Sequence, residues 1–142
     1  MRLEILIDGE PVPWARARSC GKRRWTPEPQ ASYMEVVKLS ALSAMRASGG
    51  ALLAGPLRIT ASFMCEPPTS WSNKKRVASE GLLKITRPDT DNYIKLIKDA
   101  LQEVAYKDDA IAAQVMAEKR YSLTPRSLIL VETVPLDVPG FI

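Results

Sequence analysis

Leu3, Ile5 and Ile7 alternate with Arg2, Glu4 and Leu6, which predicts a first strand ended by Gly9, Pro11 and Pro13. Met34, Val37, Ala41 and Met45 recur at helical spacing and predict a helix over roughly 28–47. Thr26 offers its N-cap, Pro27 its first-turn proline, and Gly49-Gly50 its stop. Leu57, Ile59, Ala61, Phe63 and Cys65 alternate with Arg58, Thr60, Ser62 and Met64, the clearest strand pattern in the chain, and Pro67-Pro68 breaks it. Ser70 or Ser72 caps a short helix through NKKRVAS, which ends by Gly81. Ile94, Ile97, Leu101, Val104 and Ala105 share one helical face and predict a second long helix over roughly 91–105. Residues 109–118 have the alanine content of a helix. The stretch to Tyr121, followed by SLTPRS and SLILVETV, reads instead as a hairpin, with strands over roughly 113–122 and 127–134. The tail PLDVPGFI reads as irregular.

These elements describe an α/β (α+β) chain: a mixed sheet of roughly four or five strands packed by two long helices. The length of 142 residues fits a single domain over 1–142. No apolar run of about 18 residues exists, so no membrane span is expected. Glu4 and Asp8 make the N-terminus a poor signal peptide. Cys20 and Cys65 show no spacing pattern, and a reducing cytoplasm is the simpler setting. The net charge is +4 and there is no histidine. That absence removes Ser-His-Asp chemistry, histidine bases and histidine metal ligands together. Any hydrolysis must run on carboxylates, lysine and a hard metal ion.

The chemistry concentrates in TRPDTDNYIKLIKDAL, residues 86–101. On a helix, side chains two residues apart diverge by about 200°; on an extended segment they point the same way. Pro88 disfavours helix for Arg87. Asp89-Thr90-Asp91 is therefore expected to be extended, with the helix starting at Asp91 or Asn92 and both carboxylates over one point. A divalent cation with oxygen ligands, such as Mg²⁺, would relieve their repulsion. Lys95 lies one turn after Asp91, and Asp91, Lys95, Lys98 and Gln102 form a polar stripe. Lys107-Asp108-Asp109 follows the helix, and one of its aspartates could rejoin the first pair. The ordinary readings are that Asp91 is an N-cap, Asp91–Lys95 a helix salt bridge and Asp108-Asp109 a turn.

The pattern D-x-D-N-x-x-K-x-x-x-D-A-L followed by D-D resembles the RusA-type Holliday junction resolvases, small endodeoxyribonucleases often carried by phages and prophages. The match rests on RPDTDNYIKLIKDAL (87–101) and KDDA (107–110), with GEPVPWARAR (9–18), WTP (25–27), PPTSWSNKKR (67–76) and EKRYS (118–122) in the right order. The resemblance implies Asp89, Asp91 and Asp109 as acidic metal ligands and Lys95 as the essential lysine. Asp108 is the second choice to Asp109. The family usually places a glutamine two residues after the D-D pair; here Ile111 stands there, and Gln114 comes later.

The resemblance further implies Mg²⁺ (with Mn²⁺ as the alternative), four-way branched DNA as substrate, a homodimer, paired symmetric nicks, and a role in DNA recombination and repair. A bacterial or phage-infected cytoplasm is the implied location. Phosphodiester hydrolysis needs an activated water and charge relief, which a carboxylate-held metal and a fixed lysine supply. Arg16, Arg18, Lys22, Arg23 and Arg24, with Lys74, Lys75 and Arg76, are the candidate DNA contacts; a solvated charged surface is the plain alternative. Trp14, Trp25 and Trp71 lie near these clusters, either as stacking platforms for unpaired bases or as core and loop clamps. Two rivals stand: a non-catalytic branched-DNA-binding protein, and a D-x-D metal-dependent transferase. The second normally needs a nucleotide-binding half; no Gly-rich phosphate loop is present, and no nucleotide cofactor is expected.

Overall fold

The computed structural model describes residues 1–16, 18–25 and 28–137. Its elements are β1 (Arg2–Asp8), β2 (Arg18–Cys20), β3 (Arg23–Trp25), α1 (Gln30–Ala47), β4 (Leu57–Cys65), α2 (Asn73–Ala78), α3 (Thr90–Leu101), β5 (Ala112–Tyr121) and β6 (Arg126–Thr133). A 3-10 turn, Asp109–Ile111, leads into β5.

The main sheet has four strands in the order β1-β6-β4-β5. β4 and β5 are parallel; the other pairs are antiparallel. This is the mixed sheet expected from the patterning. Pleating sorts its residues into two faces. Leu3, Val131 and Ile59, or Ile5, Ile129 and Ala61, stand side by side across three strands on the buried face. α1 packs on β1 and α3, and α3 packs on β5, so both long helices cover this face. α1 buries Gln30, Tyr33, Val37, Ala41 and Met45. α3 buries Tyr93, Leu96, Ile97, Ala100 and Leu101. Tyr93 stacks on Phe63 of β4 at 5.1 Å between ring centroids, which locks α3 against the sheet. The opposite face exposes Leu6, Leu128 and Met116. Three ion pairs lie along it: Arg2–Glu4, Arg58–Glu132 and Arg120–Glu118.

Four details differ from the patterning. α1 begins at Gln30 with Pro29 at its cap position, whereas Thr26-Pro27 lies outside the described residues. Pro29 disfavours helix for Glu28, so the helix starts only beyond it. The basic segment forms a small hairpin, β2-β3, that apolar alternation did not reveal. Its turn uses Gly21 at φ 61, a conformation glycine adopts freely.

α3 begins at Thr90, not at Asp91 or Asn92, because Pro88 restrains only the residue before it. It ends at Leu101, short of the expected 105. Glu103 adopts φ 65, and the chain turns back so that the buried Tyr106 donates its hydroxyl to Lys98 O at 2.9 Å. Val104 and Ala105 therefore belong to a turn, and Gln102 leaves the polar stripe. Replacing Tyr106 with phenylalanine removes a donor at the helix end and should cost about 1–2 kcal/mol. Urea denaturation checks this: the midpoint should fall with an unchanged m-value.

Candidate active site

The D-x-D segment stands at the start of α3. Asp89 is the N-cap of α3, extended at φ −71 and ψ 148, but its side chain makes no cap hydrogen bond. Asp91 lies in the first helical turn, where a negative charge suits the helix dipole. Trp14 donates its backbone N–H to Asn92 O at 2.9 Å, which seats the N-terminal segment on the start of α3. One residue on, Ala15 N–H donates to Oε1 of the buried Gln30 at 2.7 Å. The basic arm thus leaves the body of the protein beside α3.

Asp91, Asn92, Ile94, Lys95, Lys98, Asp99 and Asp109 line one groove of ≈ 300 Å³. Asp91, Lys95 and Asp99 follow each other at four-residue spacing, spanning about 12 Å of one helix face. Asp109 comes from the 3-10 turn and lines the same groove. Asp99 stands in the D-x-D-N-x-x-K-x-x-x-D-A-L pattern but was given no role from the sequence. Asp89 lines a neighbouring hollow with Arg87, Pro88 and Asn92. Asp89 and Asp91 thus line adjacent hollows that share Asn92, with the start of α3 between them.

Of the ordinary roles offered to these acids, the turn at Asp108-Asp109 is taken, while the Asp91 cap and the Asp91–Lys95 salt bridge are not. Asp91 forms no salt bridge with Lys95; the Lys95 ammonium lies 4.7 Å from the centre of the Trp14 ring, a cation–π contact. Among the described residues, no ion pair holds Asp89, Asp91 or Asp109. Asp108 differs. Its Oδ1 accepts the Ala110 N–H at 3.0 Å, capping the 3-10 turn, and it lines a separate hollow with Gln102 and Lys107. Tyr106 lies beneath this region. Burial, with the carboxylates of Asp109 and Asp99 adding to it, pushes its hydroxyl well above the usual phenol range.

Among the described residues, no three acidic side chains form a metal cage by themselves. Magnesium commonly takes one or two carboxylates and completes its shell with water and substrate phosphate oxygens. Asp91 and Asp109, reaching one groove from two elements, fit that donor set, and Asp89 lines the neighbouring hollow.

The candidate DNA contacts fall on two surfaces. Arg16, Lys22, Arg23 and Arg24 are exposed on the arm and its hairpin, whereas the side chain of Arg18 lies outside the described residues. Lys74 and Lys75 are exposed on α2. Arg76 instead pairs with Glu66 at 2.8 Å and is half-buried. The Lys75 ammonium lies 4.1 Å from the centre of the Trp71 ring, which meets Tyr121 edge-on at the end of β5. Trp14 and Trp71 each carry a lysine over the ring; the side chain of Trp25 is outside the described residues. Cys20 is exposed and Cys65 buried, and both are free thiols. Among the described residues, no helix is long and apolar enough to cross a membrane.

An acidic groove with a lysine beside it and a basic arm at its edge meets its counterpart in a known class of enzyme. The family model for endodeoxyribonuclease RusA matches residues 8–132. The chain belongs to the RusA family and is an endodeoxyribonuclease, as the motifs around Asp89 and Asp109 suggested. It is also 32% identical over 139 residues to YqaN of Bacillus subtilis (strain 168), an uncharacterized protein; the match covers 93% of this chain and 96% of that one. The transferase alternative finds no support in either match.

Proposed function

We propose that this endodeoxyribonuclease acts on four-way DNA junctions, resolving them by paired symmetric nicks as a homodimer, in recombination and repair. The observation that carries the reading is the release of Asp89, Asp91 and Asp109 from structural duty, while their neighbour Asp108 is spent on a cap. Mg²⁺, or Mn²⁺ in its place, would be held by Asp91 and Asp109 with Asp89 completing the set; when bound it supplies an activated water and neutralises the scissile phosphate. Lys95, steadied by the Trp14 ring, presents a fixed positive charge to the developing charge on the leaving oxygen. Arg16, Arg18, Lys22, Arg23 and Arg24 of the arm, with Lys74 and Lys75 of α2, hold backbone phosphates, and Arg76 braces α2 from below. A two-fold dimer would present two such grooves to the two-fold symmetric junction. The exposed Leu6, Leu128 and Met116 on the sheet face, beside the Arg58–Glu132 and Arg120–Glu118 ion pairs, support self-association.

The test is to incubate the protein with a synthetic junction and with linear duplex of the same sequence, with and without Mg²⁺. Nicks should appear in the junction alone, in two strands of like polarity, and only with metal. A junction bound but uncut with every divalent ion tried would overturn the catalytic reading, and equal cutting of the duplex would overturn the structural selectivity.

A further inference from the structure

We infer that Lys84 and Lys119 are positioning residues for the acidic site: together they hold the loop that presents Asp89, and they do so instead of contacting phosphate. The inference rests on the reading of Asp89 as part of the nuclease site.

Lys119 belongs to β5. It stands on the helix-covered face, at the edge of a row that runs Ile7, Ser127, Phe63 and Lys119 across the sheet. Its ammonium donates to Thr86 O and to Pro88 O, each at 2.6 Å. Lys84 holds the same loop. Its ammonium donates to Thr86 Oγ1 at 2.6 Å, to Arg87 O at 2.7 Å and to Thr86 O at 3.3 Å. The backbone before the loop is laid along the end of β5 by three hydrogen bonds: Gly81 N to Tyr121 O, Tyr121 N to Leu82 O, and Lys84 N to Lys119 O. Residues 81–84 thus pair with β5, and the two lysines then draw in the carbonyls of three successive residues, 86 to 88.

The chemistry separates this from an ordinary basic surface. Among the described residues, neither ammonium is ion-paired with a carboxylate. Both cations are satisfied by neutral oxygens, in charge-assisted hydrogen bonds stronger than neutral ones. An ammonium carries three donors. Lys84 has all three engaged and Lys119 two, and both side chains are half-buried, so little is left for a phosphate oxygen. What the clamp fixes is the direction in which the chain leaves Pro88. Asp89 follows immediately, with extended backbone and a side chain free of any cap bond. The clamp is therefore the link that registers the Asp89 carboxylate against α3 and the groove of Asp91 and Asp109.

The experiment uses the full chain with Lys84→Met, Lys119→Met, both together, Lys119→Arg, and Asp89→Asn in parallel. Single-turnover cleavage of a synthetic junction, junction affinity in EDTA over a salt series, and thermal melting are measured for each. Each methionine variant should cleave about tenfold to a hundredfold more slowly, the cost of misplacing a reacting group by about 1 Å. Junction affinity and its salt slope should be unchanged, and Lys119→Arg should recover most of the rate. Because both ammoniums hold Thr86 O, the double variant should be little slower than the slower single one. Wild-type cleavage by the methionine variants overturns the inference. So does a loss of affinity with the salt slope reduced by about one, the mark of a lost phosphate contact. Should Lys119→Met fail to fold, Lys84→Met, in the surface loop, gives the answer alone. Wild-type cleavage by Asp89→Asn would remove the underlying reading and this inference with it. An inactive Asp89→Asn beside fully active lysine variants would remove the inference alone.

Discussion

Asp91→Asn and Asp109→Asn should each lower junction cleavage by about 10²–10³-fold or more, the scale seen when one preorganised electrostatic element of an active site is removed. Junction binding should persist. Asparagine keeps the shape of aspartate but not its charge, so the groove loses its attraction for a divalent ion while the arm and α2 keep their phosphate contacts. The two residues reach the groove from different elements, so neither change disturbs the other's backbone. Asp108→Asn is the internal control. Its Oδ1 caps the 3-10 turn by accepting Ala110 N–H, and an asparagine oxygen accepts equally well, so its activity should stay near wild type. An active Asp109→Asn beside a dead Asp108→Asn would show that the wrong member of the pair was assigned. Thermal melting gives a second readout independent of turnover: Mg²⁺ should raise the melting temperature of the wild type more than that of Asp91→Asn.

Lys95→Ala should produce the other large effect, a loss of about 10²–10³-fold in single-turnover rate with little change in junction affinity. Lys95 is exposed, but its ammonium lies over the Trp14 ring and it lines the groove with Asp91, so under the proposed reading its charge is steadied beside the acidic site. The cations of the arm and α2 should behave in the opposite way. Arg24→Ala or Lys74→Ala should weaken junction binding and flatten its salt dependence by about one unit per lost phosphate contact, with the rate of the bound complex preserved. Trp14→Leu should follow Lys95→Ala in kind and fall short of it in size, since the lysine keeps its charge and loses its support. A Lys95→Ala protein that cleaves at the wild-type rate but binds poorly would make Lys95 one more phosphate clamp.

Much of this arrangement is written locally in the chain. Alternation over Leu3–Ile7 and Leu57–Cys65 specifies two strands, because a pleated ribbon buries every second residue whatever it pairs with. The spacing of Val37, Ala41 and Met45 likewise specifies the buried side of α1. The D-x-D-N-x-x-K and D-D patterns carry the resemblance to the RusA nucleases, and the absence of histidine leaves carboxylates and lysine for any hydrolysis. The limits of α3 were less legible. Its start depends on how far the restraint of Pro88 extends, and its end on a hydroxyl eight residues beyond Lys98.

What only the tertiary structure decided is which partner each polar group takes. Lys95 has Asp91 one turn away in sequence and turns instead to Trp14, 81 residues earlier, because that ring is seated on the start of α3 by the bond to Asn92. Asp108 and Asp109 are adjacent, yet the 3-10 turn sends one to a cap and the other to the groove. Lys119 is 30 residues from Asp89 and reaches its loop only because residues 81–84 lie along the edge of β5. Periodicity reports which face a residue occupies, since that follows from the backbone repeat alone. The partner of a long or charged side chain depends on what the fold brings within about 3 Å of its donors, and no local pattern carries that distance.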